Sequence, residues 1–475
     1  MWGYYILIVF MILIIILIIK TILFKKTLDQ RSVEHIDVDE QKVLQALIKK
    51  IKIPTVSYRN SSLINQDAFK AFKSLLQTDY PLVNQHATYK EIGTGVLFHI
   101  KGKSKEKPIV LMAHFDVVPT SSNWSVEPFS GIIKNGYLYG RGTLDTKVTV
   151  NAIMESMEYV LSKNHKFKQD IYIAFSGEEE INGPTQQQMV EYFKQNHIKP
   201  YLVFDEGGAI VSNMFPGVKE HVAVVGVAEK GFMNVILSAT SKGGHASAPP
   251  KHTPVTMLSD AVSKINNHKA FKMKLTQPIK TMFNGIAPYS SSFLIRMIFA
   301  NQWLFNPLIK LIAKLSGGEL YAMFKSTLAF TVLKGSNALN VLPNESSVGI
   351  NIRISVADTS TDILHKLKKI IHNDAIDIKV VDVSEPTPTS LIDPAFDLIK
   401  NAVSKTWDDT ITSPYLMVAT TDSRHYHKIC DRVYKFAPYQ LTKEDLRLIH
   451  SDDERIKIEN VINSTKFYIH FLNQI

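Results

Sequence analysis

The sequence predicts an α/β protein with a mostly parallel central sheet, an inserted α+β unit and an N-terminal transmembrane helix. Three observations support this fold class. Short apolar runs alternate with helix-type patterns over most of the chain, the middle of the chain changes to alternating strand patterns, and the chain opens with a long uncharged run. With 475 residues, of which 45% are hydrophobic, the chain exceeds one ordinary domain and can bury a large core.

The N-terminal run WGYYILIVFMILIIILII, residues 2–19, carries no charge. As a helix it would span about 27 Å, which matches the hydrocarbon core of a bilayer. A secretory signal peptide is the main alternative, but the run has neither a basic n-region before it nor a small-residue cleavage site after it. We therefore expect a transmembrane anchor at residues 1–26, with the side of the membrane left open, and a polar stalk at residues 27–40.

The α/β unit is indicated by buried-type strands that alternate with helices. The apolar runs IVLMA, IYIAF and YLVF are separated by helical patterns at about 145–161 and 185–196. From about Val222 the sequence pattern changes to strands in which apolar and polar residues alternate. The alternation of strands and helices resumes near Thr361. We expect the α/β unit to comprise residues 41–221 and 361–475, with the α+β insertion at 222–360.

Charge and cysteine content exclude some function classes. The net charge is +10, but the lysines and arginines are scattered among 44 acidic residues, and no nucleic-acid motif is present, so we expect no nucleic-acid partner. The single cysteine, Cys430, rules out an intrachain disulfide and a cysteine-based metal cluster. No G-x-S-x-G elbow suggests a serine hydrolase, and Cys430 lacks the glycine-rich approach of a thiol enzyme.

Metal-type ligands follow each of the three apolar runs. The first run is followed by His114 and Asp116, the second by SGEEE, and the third by Asp205 and Glu206, while YGRGTLDTK between the first two delivers Asp145 near the start of a helix. Ligands of open α/β sheets bind beyond the carboxyl ends of the strands, so these side chains should converge.

Convergence of so many carboxylates requires a neutralising charge. Any one of these acidic residues alone is more often a helix cap or a loop residue. Together they would repel one another strongly unless cations were bound. Imidazole and carboxylate donors without thiolate suit zinc, and also manganese or cobalt.

The motifs AHFDVVP, YGRGTLDTK, FSGEEE, FDEGG and KGGHASAPP together resemble those of the dinuclear zinc metallopeptidase family that includes carboxypeptidase S, aminoacylase and N-fatty-acyl-amino-acid hydrolase. The resemblance runs from about residue 40 to the C-terminus. It implies a zinc-dependent hydrolase of amide bonds to an amino acid with a free carboxylate, either a carboxypeptidase S-like peptidase or an N-acyl-amino-acid hydrolase. It also implies that the insertion is a lid and dimerisation domain of a homodimer.

The resemblance assigns two zinc ions per subunit to five ligands. Adjacent acids at a strand end leave Asp205 and Glu206 as alternatives, with Asp205 preferred. His425 and His427 compete with His450, which is favoured because RLIHSDDERI resembles the family's closing motif, with Glu454 as a supporting residue. The expected ligands are His114, Asp145 as the bridge, Glu180, Asp205 and His450.

The resemblance also implies catalytic roles. Glu179 would be the general base, with Glu178 as the alternative if the motif is shifted by one residue. Asp116 would orient His114 through its other ring nitrogen. His245 in KGGHASAPP would stabilise the oxyanion across a dimer interface, although it could equally be a solvent-facing residue of a turn.

Three further residues are expected to bind substrate. Asn340 in NALNVLP and Arg353 in NIRISV resemble family residues that hold the substrate, and Arg353 suits a free carboxylate, although a strand arginine in a structural ion pair is the alternative. Arg424 lies in TTDSR, which resembles a substrate-binding loop.

Residues 285–315 are unusually rich in Phe, Ile and Leu. They could shape a channel for a long acyl chain or rest against a membrane, or they could be ordinary core of the inserted unit. A function of another class, a membrane-anchored binding protein without catalysis, is disfavoured because every expected ligand type, the base and the oxyanion histidine are present.

Overall fold

The computed structural model describes residues 2–28 and 33–475. The expected stalk at 27–40 includes residues 29–32, which lie outside the described residues. The α-helices are α1 Trp2–Phe24, α2 Glu40–Ile51, α3 Gln66–Thr78, α4 Pro81–His86, α5 Lys147–Ser162, α6 Thr185–Gln195, α7 Pro254–Asn267, α8 Gln277–Ile286, α9 Phe293–Ala300, α10 Gln302–Ser316, α11 Gly318–Met323, α12 Ser360–Ile371, α13 Pro394–Thr406, α14 Lys443–Leu446 and α15 Ile458–Leu472. The strands are β1 Ala87–Ile92, β2 Gly95–Ile100, β3 Ser104–His114, β4 Ile133–Lys134, β5 Tyr137–Tyr139, β6 Gln169–Ser176, β7 Leu202–Val211, β8 His221–Glu229, β9 Gly231–Thr240, β10 Gly244–His245, β11 Thr327–Lys334, β12 Val341–Leu342, β13 Glu345–Ile354, β14 Ile376–Ser384, β15 Thr410–Met417, β16 Val433–Leu441 and β17 Arg455–Lys457.

The central sheet has eight strands in the order β1-β2-β6-β3-β7-β16-β8-β15. The neighbours β6, β3, β7 and β16 run parallel, as do β8 and β15, whereas β1 and β2 form an antiparallel edge. The apolar runs form the interior strands: residues 109–114 of β3 are all buried, as expected for a strand covered on both faces. The predicted mixed α/β fold with a mostly parallel sheet is confirmed.

Helices cover both faces of this sheet. On one face α5, α13 and α15 build the largest core cluster, in which Phe467 contacts both Phe204 of β7 and Phe436 of β16. On the other face α6 packs through Phe193 against Tyr172 of β6. Cys430 is buried in this second cluster, which suits a structural thiol.

A second sheet lies in the insertion and has the order β11-β13-β9-β14, with antiparallel neighbours throughout. Helices α7 and α12 pack on it through Leu258, Ile265 and Leu367. The expected limits of 222 and 360 do not coincide with sheet membership, because β8 belongs to the central sheet and β14 to the second sheet. We propose that the inserted unit begins after Glu229 and ends near Ser384.

Helices α8 to α11 pack outside the second sheet. Their buried side chains, among them Phe283, Phe299 and Ile309, form a core with Ile411 and Tyr415 of β15. The apolar stretch 285–315 therefore does contribute ordinary core, although part of it stays exposed. Helix α1 contacts α9, and its residues Trp2–Phe24 are long and apolar enough to cross a membrane.

Candidate metal centre and active site

His114 is the last residue of β3, so the strand fixes its backbone at the carboxyl edge of the sheet. Its Nδ1 lies 3.0 Å from the carbonyl oxygen of Asp116 and 3.3 Å from Oδ1 of the same residue. These contacts hold the ring so that Nε2 faces Asp145 and Glu206, at 2.9 and 3.1 Å. These contacts place Asp116 where the expected orienting role needs it, and that role stays a prediction.

Asp116 also positions the acidic loop that follows β6. Its fully buried carboxylate accepts hydrogen bonds from the backbone N–H of Glu179 and of Glu180, both at 3.1 Å, and from the Ser57 hydroxyl at 2.8 Å. A single carboxylate therefore fixes a histidine and two glutamates relative to one another.

Asp145 lies between two imidazoles. Its Oδ1 is 2.9 Å from His114 Nε2, and its Oδ2 is 2.9 Å from His450 Nε2. His450 Nε2 is also 3.2 Å from Glu180 Oε2. The structure thus brings together four of the five expected ligands, and among His425, His427 and His450 it is His450 that contacts Asp145 and Glu180.

Asp205 forms no ion pair with these residues in the described part of the chain, whereas Glu206 Oε1 lies 3.1 Å from His114 Nε2, so we now favour Glu206 over the expected Asp205, and the choice stays a prediction. The Asp205 carboxylate is buried and accepts a hydrogen bond from Ser423 N at 3.1 Å. In the pairing of β7 with β16, Asp205 pairs with Lys435 and Gly208 with Phe436, which leaves Glu206 and Gly207 as a bulge. Bulges re-aim side chains, and here Glu206 points towards His114.

Glu178 and Glu179 are separated by their contacts. Glu178 Oε1 accepts hydrogen bonds from the backbone N–H and the hydroxyl of Thr185, at 2.6 and 2.5 Å, at the start of α6. It is therefore a capping residue. Glu179 Oε2 instead lies 3.9 Å from His114 Nε2, and His114, Glu179 and Glu206 could hold a cation together, as could His114, Asp145 and Glu180.

Electrostatics also favour cations at this site. Burial, with the neighbouring carboxylates, raises the pKa of Glu180 and of Glu206 to about 7. Hydrogen bonds to Asp145 and Glu180 raise the pKa of His450 to about 11. Burial opposes charge on the His114 ring, but the surrounding carboxylates outweigh it and raise that pKa well above its usual value. These raised pKa values show that the clustered carboxylates favour nearby positive charge, which protons supply here and which divalent cations would also supply.

The donor set fits a metal pair. Two imidazoles and several carboxylates, without thiolate, are zinc-type ligands. Glu180 Oε1 is buried and has no hydrogen-bond partner within the described residues, and an unpaired buried carboxylate oxygen is costly unless a cation binds it.

The sequence reasoning missed how Asp145 is held. Glu454, fully buried, accepts a hydrogen bond from Arg141 Nη1 at 2.7 Å and others from the backbone N–H groups of Gly142, Leu144 and Asp145. The supporting role predicted for Glu454 would act through this loop. Arg141 was the missed residue, and its place in YGRGTLDTK was the only signal that could have indicated it.

His245 and Asn340 lie together on the inserted unit. Strands β10 and β12 pair His245 with Val341, and Ala246 N donates to Asn340 O at 3.0 Å. Both side chains are exposed. Within residues 2–28 and 33–475, neither forms a hydrogen bond or ion pair with the metal-site residues, so their catalytic and substrate-binding roles stay predictions.

The remaining predicted residues lie around the site or in strands. Arg353 is half-buried in β13, opposite Thr327. Arg424 is half-buried and donates to Thr421 O at 2.7 Å and to Asn182 Oδ1 at 3.2 Å, which ties it to the loop after Glu180. Burial lowers the pKa of His425 to about 3 and that of His427 to about 2. Both imidazoles are therefore neutral at neutral pH.

Comparison with known proteins agrees with this geometry. Residues 110–474 match the family model of peptidase family M20/M25/M40. The chain belongs to this family. Its members are metal-dependent peptidases, typically dinuclear, and the resemblance drawn from the motifs is confirmed.

Similar proteins include two differently named groups. Probable carboxypeptidase S-like 2 of Dictyostelium discoideum is 33% identical over 93% of this chain and 87% of its own length. The N-fatty-acyl-amino acid synthase/hydrolase PM20D1 of Xenopus tropicalis is 32% identical over 92% of this chain and 87% of its own length. The M20 family metallo-carboxypeptidase Sso-CP2 from Sulfolobus solfataricus superposes with a TM-score of 0.67 at 18% identity, covering 92% of this chain and 99% of that one, which shows a shared fold.

Proposed function

We propose that this protein hydrolyses the amide bond of an amino acid that carries a free carboxylate, using two zinc ions. The observation that carries the proposal is Asp145, whose two oxygens each lie 2.9 Å from a different imidazole. One carboxylate so placed can bridge two cations. His114 and Glu206 would complete one site, and His450 and Glu180 the other.

The donor chemistry suits zinc, and manganese or cobalt would also fit it. When bound, such a metal pair polarises the amide carbonyl and makes water acidic enough to ionise near neutral pH. The protein positions the metal-ligand side chains. The β3 backbone and Asp116 fix His114, and Glu454 fixes the loop that carries Asp145.

Glu179 is proposed as the proton carrier. Burial raises the pKa of its carboxyl well above the usual value, so it can accept a proton from the attacking water and deliver it to the leaving nitrogen. Its backbone N–H is held by Asp116, which keeps the carboxylate beside His114.

His245 is proposed to stabilise the oxyanion in a homodimer. Ser247 N donates to His245 Nδ1 at 3.1 Å, which leaves the proton on Nε2 and makes Nε2 a donor. Arg353, Asn340 and Arg424 are proposed to bind the substrate, with Arg353 paired to its free carboxylate. Gel filtration with light scattering would test the dimer, since a monomer at enzyme-assay concentration that retains full activity would contradict this role of His245.

A carboxypeptidase S-like reaction on short peptides is the first candidate, as in the name of the Dictyostelium relative. Hydrolysis of N-acyl amino acids, including long-chain ones, is the second, because PM20D1 relatives are as similar and residues 293–315 expose a row of large apolar side chains.

The test uses the purified full chain in detergent, loaded with zinc. Dipeptides, N-acetyl amino acids and N-long-chain-acyl amino acids are compared, each with a C-terminally amidated control. We expect zinc-dependent cleavage that amidation of the substrate abolishes, and loss of at least 100-fold in kcat for Glu179→Gln with zinc still bound. Glu178→Gln is the matched control and should retain most activity, because Glu178 caps α6. No turnover of any substrate with metal bound would support the non-catalytic binding protein instead.

We also propose that α1 is an uncleaved membrane anchor rather than a signal sequence. Its uncharged run and the lysines that follow it support this assignment. Intact-mass measurement of the mature protein tests it, because a mass lacking the first residues would show cleavage.

A further inference from the structure

Helix α10 carries an exposed apolar stripe. Leu304, Leu308, Leu311 and Leu315 recur at helical spacing and are 39%, 39%, 50% and 78% exposed, whereas Ile309 on the opposite face is buried. Soluble helices normally turn such a stripe into the core. A contiguous apolar surface of this kind marks an interaction site.

Helix α9 and the start of α10 extend the stripe. Phe293 and Leu294 are 44% and 59% exposed, and Trp303 at the beginning of α10 is 61% exposed. Two polar side chains of this hairpin turn inward instead: Arg296 is buried and its Nη1 donates to Ser290 O at 2.5 Å, and Gln302 Nε2 donates to Asn284 Oδ1 at 2.9 Å. We call residues 293–315 the apolar hairpin.

The apolar hairpin packs beside α1, which indicates what covers it. Lys26 N donates to Pro288 O at 3.0 Å, just before α9, and Asn301 Nδ2 at the end of α9 lies 3.5 Å from Leu17 O. Helix α9 therefore runs antiparallel to α1. It begins beside the lysines that follow α1 and ends beside the uncharged stretch of α1. Leu17 belongs to that uncharged stretch, residues 2–19, so the turn between α9 and α10 lies at the level where the hydrocarbon layer begins.

We propose that the apolar hairpin is a second membrane-binding surface, which inserts shallowly into the same leaflet from which α1 emerges and holds the enzyme against the bilayer. The proposal rests on the proposed anchoring of α1. Insertion to about 5–10 Å is typical of interfacial helices, and Trp303 at the turn is the residue type that prefers this depth. Lys310 and Lys314 in α10 can extend to the headgroups.

The experiment uses the full chain reconstituted in phosphatidylcholine vesicles with or without acyl-brominated lipid, which quenches tryptophan fluorescence on contact. The other tryptophans are Trp2 in α1 and Trp124 and Trp407 in the α/β unit. Comparing Trp2→Phe with the double variant Trp2→Phe/Trp303→Phe isolates the signal of Trp303. Comparing wild type with Trp2→Phe isolates the anchor. Trp124 and Trp407, retained in every variant, provide the baseline for a residue away from lipid.

We expect brominated lipid to quench Trp303 by at least half, with quenching strongest for shallow bromine positions, and aqueous acrylamide to quench it weakly. Quenched Trp2 with unquenched Trp303 would overturn the apolar hairpin proposal and keep the anchor. Trp303 shielded from both lipid and acrylamide would show that a second protein copy covers the apolar hairpin, which also overturns the proposal. Trp2 and Trp303 both unquenched would remove the anchor as well. Hydrolysis of a short dipeptide by the same variants should be unchanged and would confirm that they fold.

Discussion

The most informative perturbation is Glu454→Gln, because one buried carboxylate holds the loop that carries Asp145. Glu454 is fully buried and Arg141 is 2% exposed. The carboxylate pairs with Arg141 at 2.7 Å and accepts backbone hydrogen bonds from Gly142, Leu144 and Asp145. Glutamine keeps the shape, but it removes the charge and replaces one acceptor oxygen with a donor.

Removing one partner of a buried ion pair costs about 3–5 kcal/mol, because the other charge stays buried without compensation. We expect Glu454→Gln to lower the free energy of unfolding by about that amount and to reduce zinc occupancy, since the loop no longer fixes Asp145. Urea denaturation followed by tryptophan fluorescence measures the first effect, and the Trp124 ring, 5.2 Å from the Arg141 guanidinium, reports locally on the pair.

Glu444→Gln is the matched control. Glu444 is exposed at the start of α14, so the same chemical change should alter stability by no more than about 0.5 kcal/mol. If Glu454→Gln were as stable as this control and still bound two zinc ions, the reasoning that Glu454 organises the Asp145 loop would be wrong.

Three further predictions concern the site and its support. Asp116→Asn should weaken zinc binding about 10–100-fold, as measured by competition with a chromophoric chelator; unchanged affinity would contradict its orienting role. Glu206→Gln should lower the zinc content from two ions towards one, whereas Asp205→Asn should keep both, and elemental analysis of dialysed protein would distinguish them; the reverse result would restore Asp205 as the ligand. Phe115→Ala should cost about 3–5 kcal/mol, because Phe115 is fully buried and stacks on Phe72 with ring centroids 4.8 Å apart, and a urea midpoint equal to that of wild type would refute this.

Local patterns in the sequence were enough to predict the strands and the positions of most site residues. A run such as IVLMA is buried on both faces in a parallel sheet and must end at its edge, so the residues that follow are displayed together. This is why the sequence alone indicates His114, Asp145 and Glu180 as neighbours, with His450 added by the closing motif. The motif pattern also identified the family.

Choices between adjacent residues could not be made in the same way. Asp205 and Glu206 differ by one position, and which of them faces His114 depends on a bulge in the pairing of β7 with β16, strands separated by more than 200 residues. The preference for Glu179 over Glu178 as the proposed base likewise depends on a tertiary contact, the hydrogen bond that Glu178 accepts from Thr185 at the start of α6.

Periodicity and short motifs in the sequence were sufficient to indicate the fold class, the family and the residue types of the candidate metal centre. The directions of side chains and the pairing of Arg141 with Glu454, which lie 313 residues apart, depend instead on contacts between distant segments. The exposure of the apolar side chains of α10, next to α9 and its contact with α1, likewise appears only in the folded chain. A local pattern indicates which residues are stabilised by burial or by a charge partner. Pairing between distant segments determines which of them are buried or paired in the folded chain.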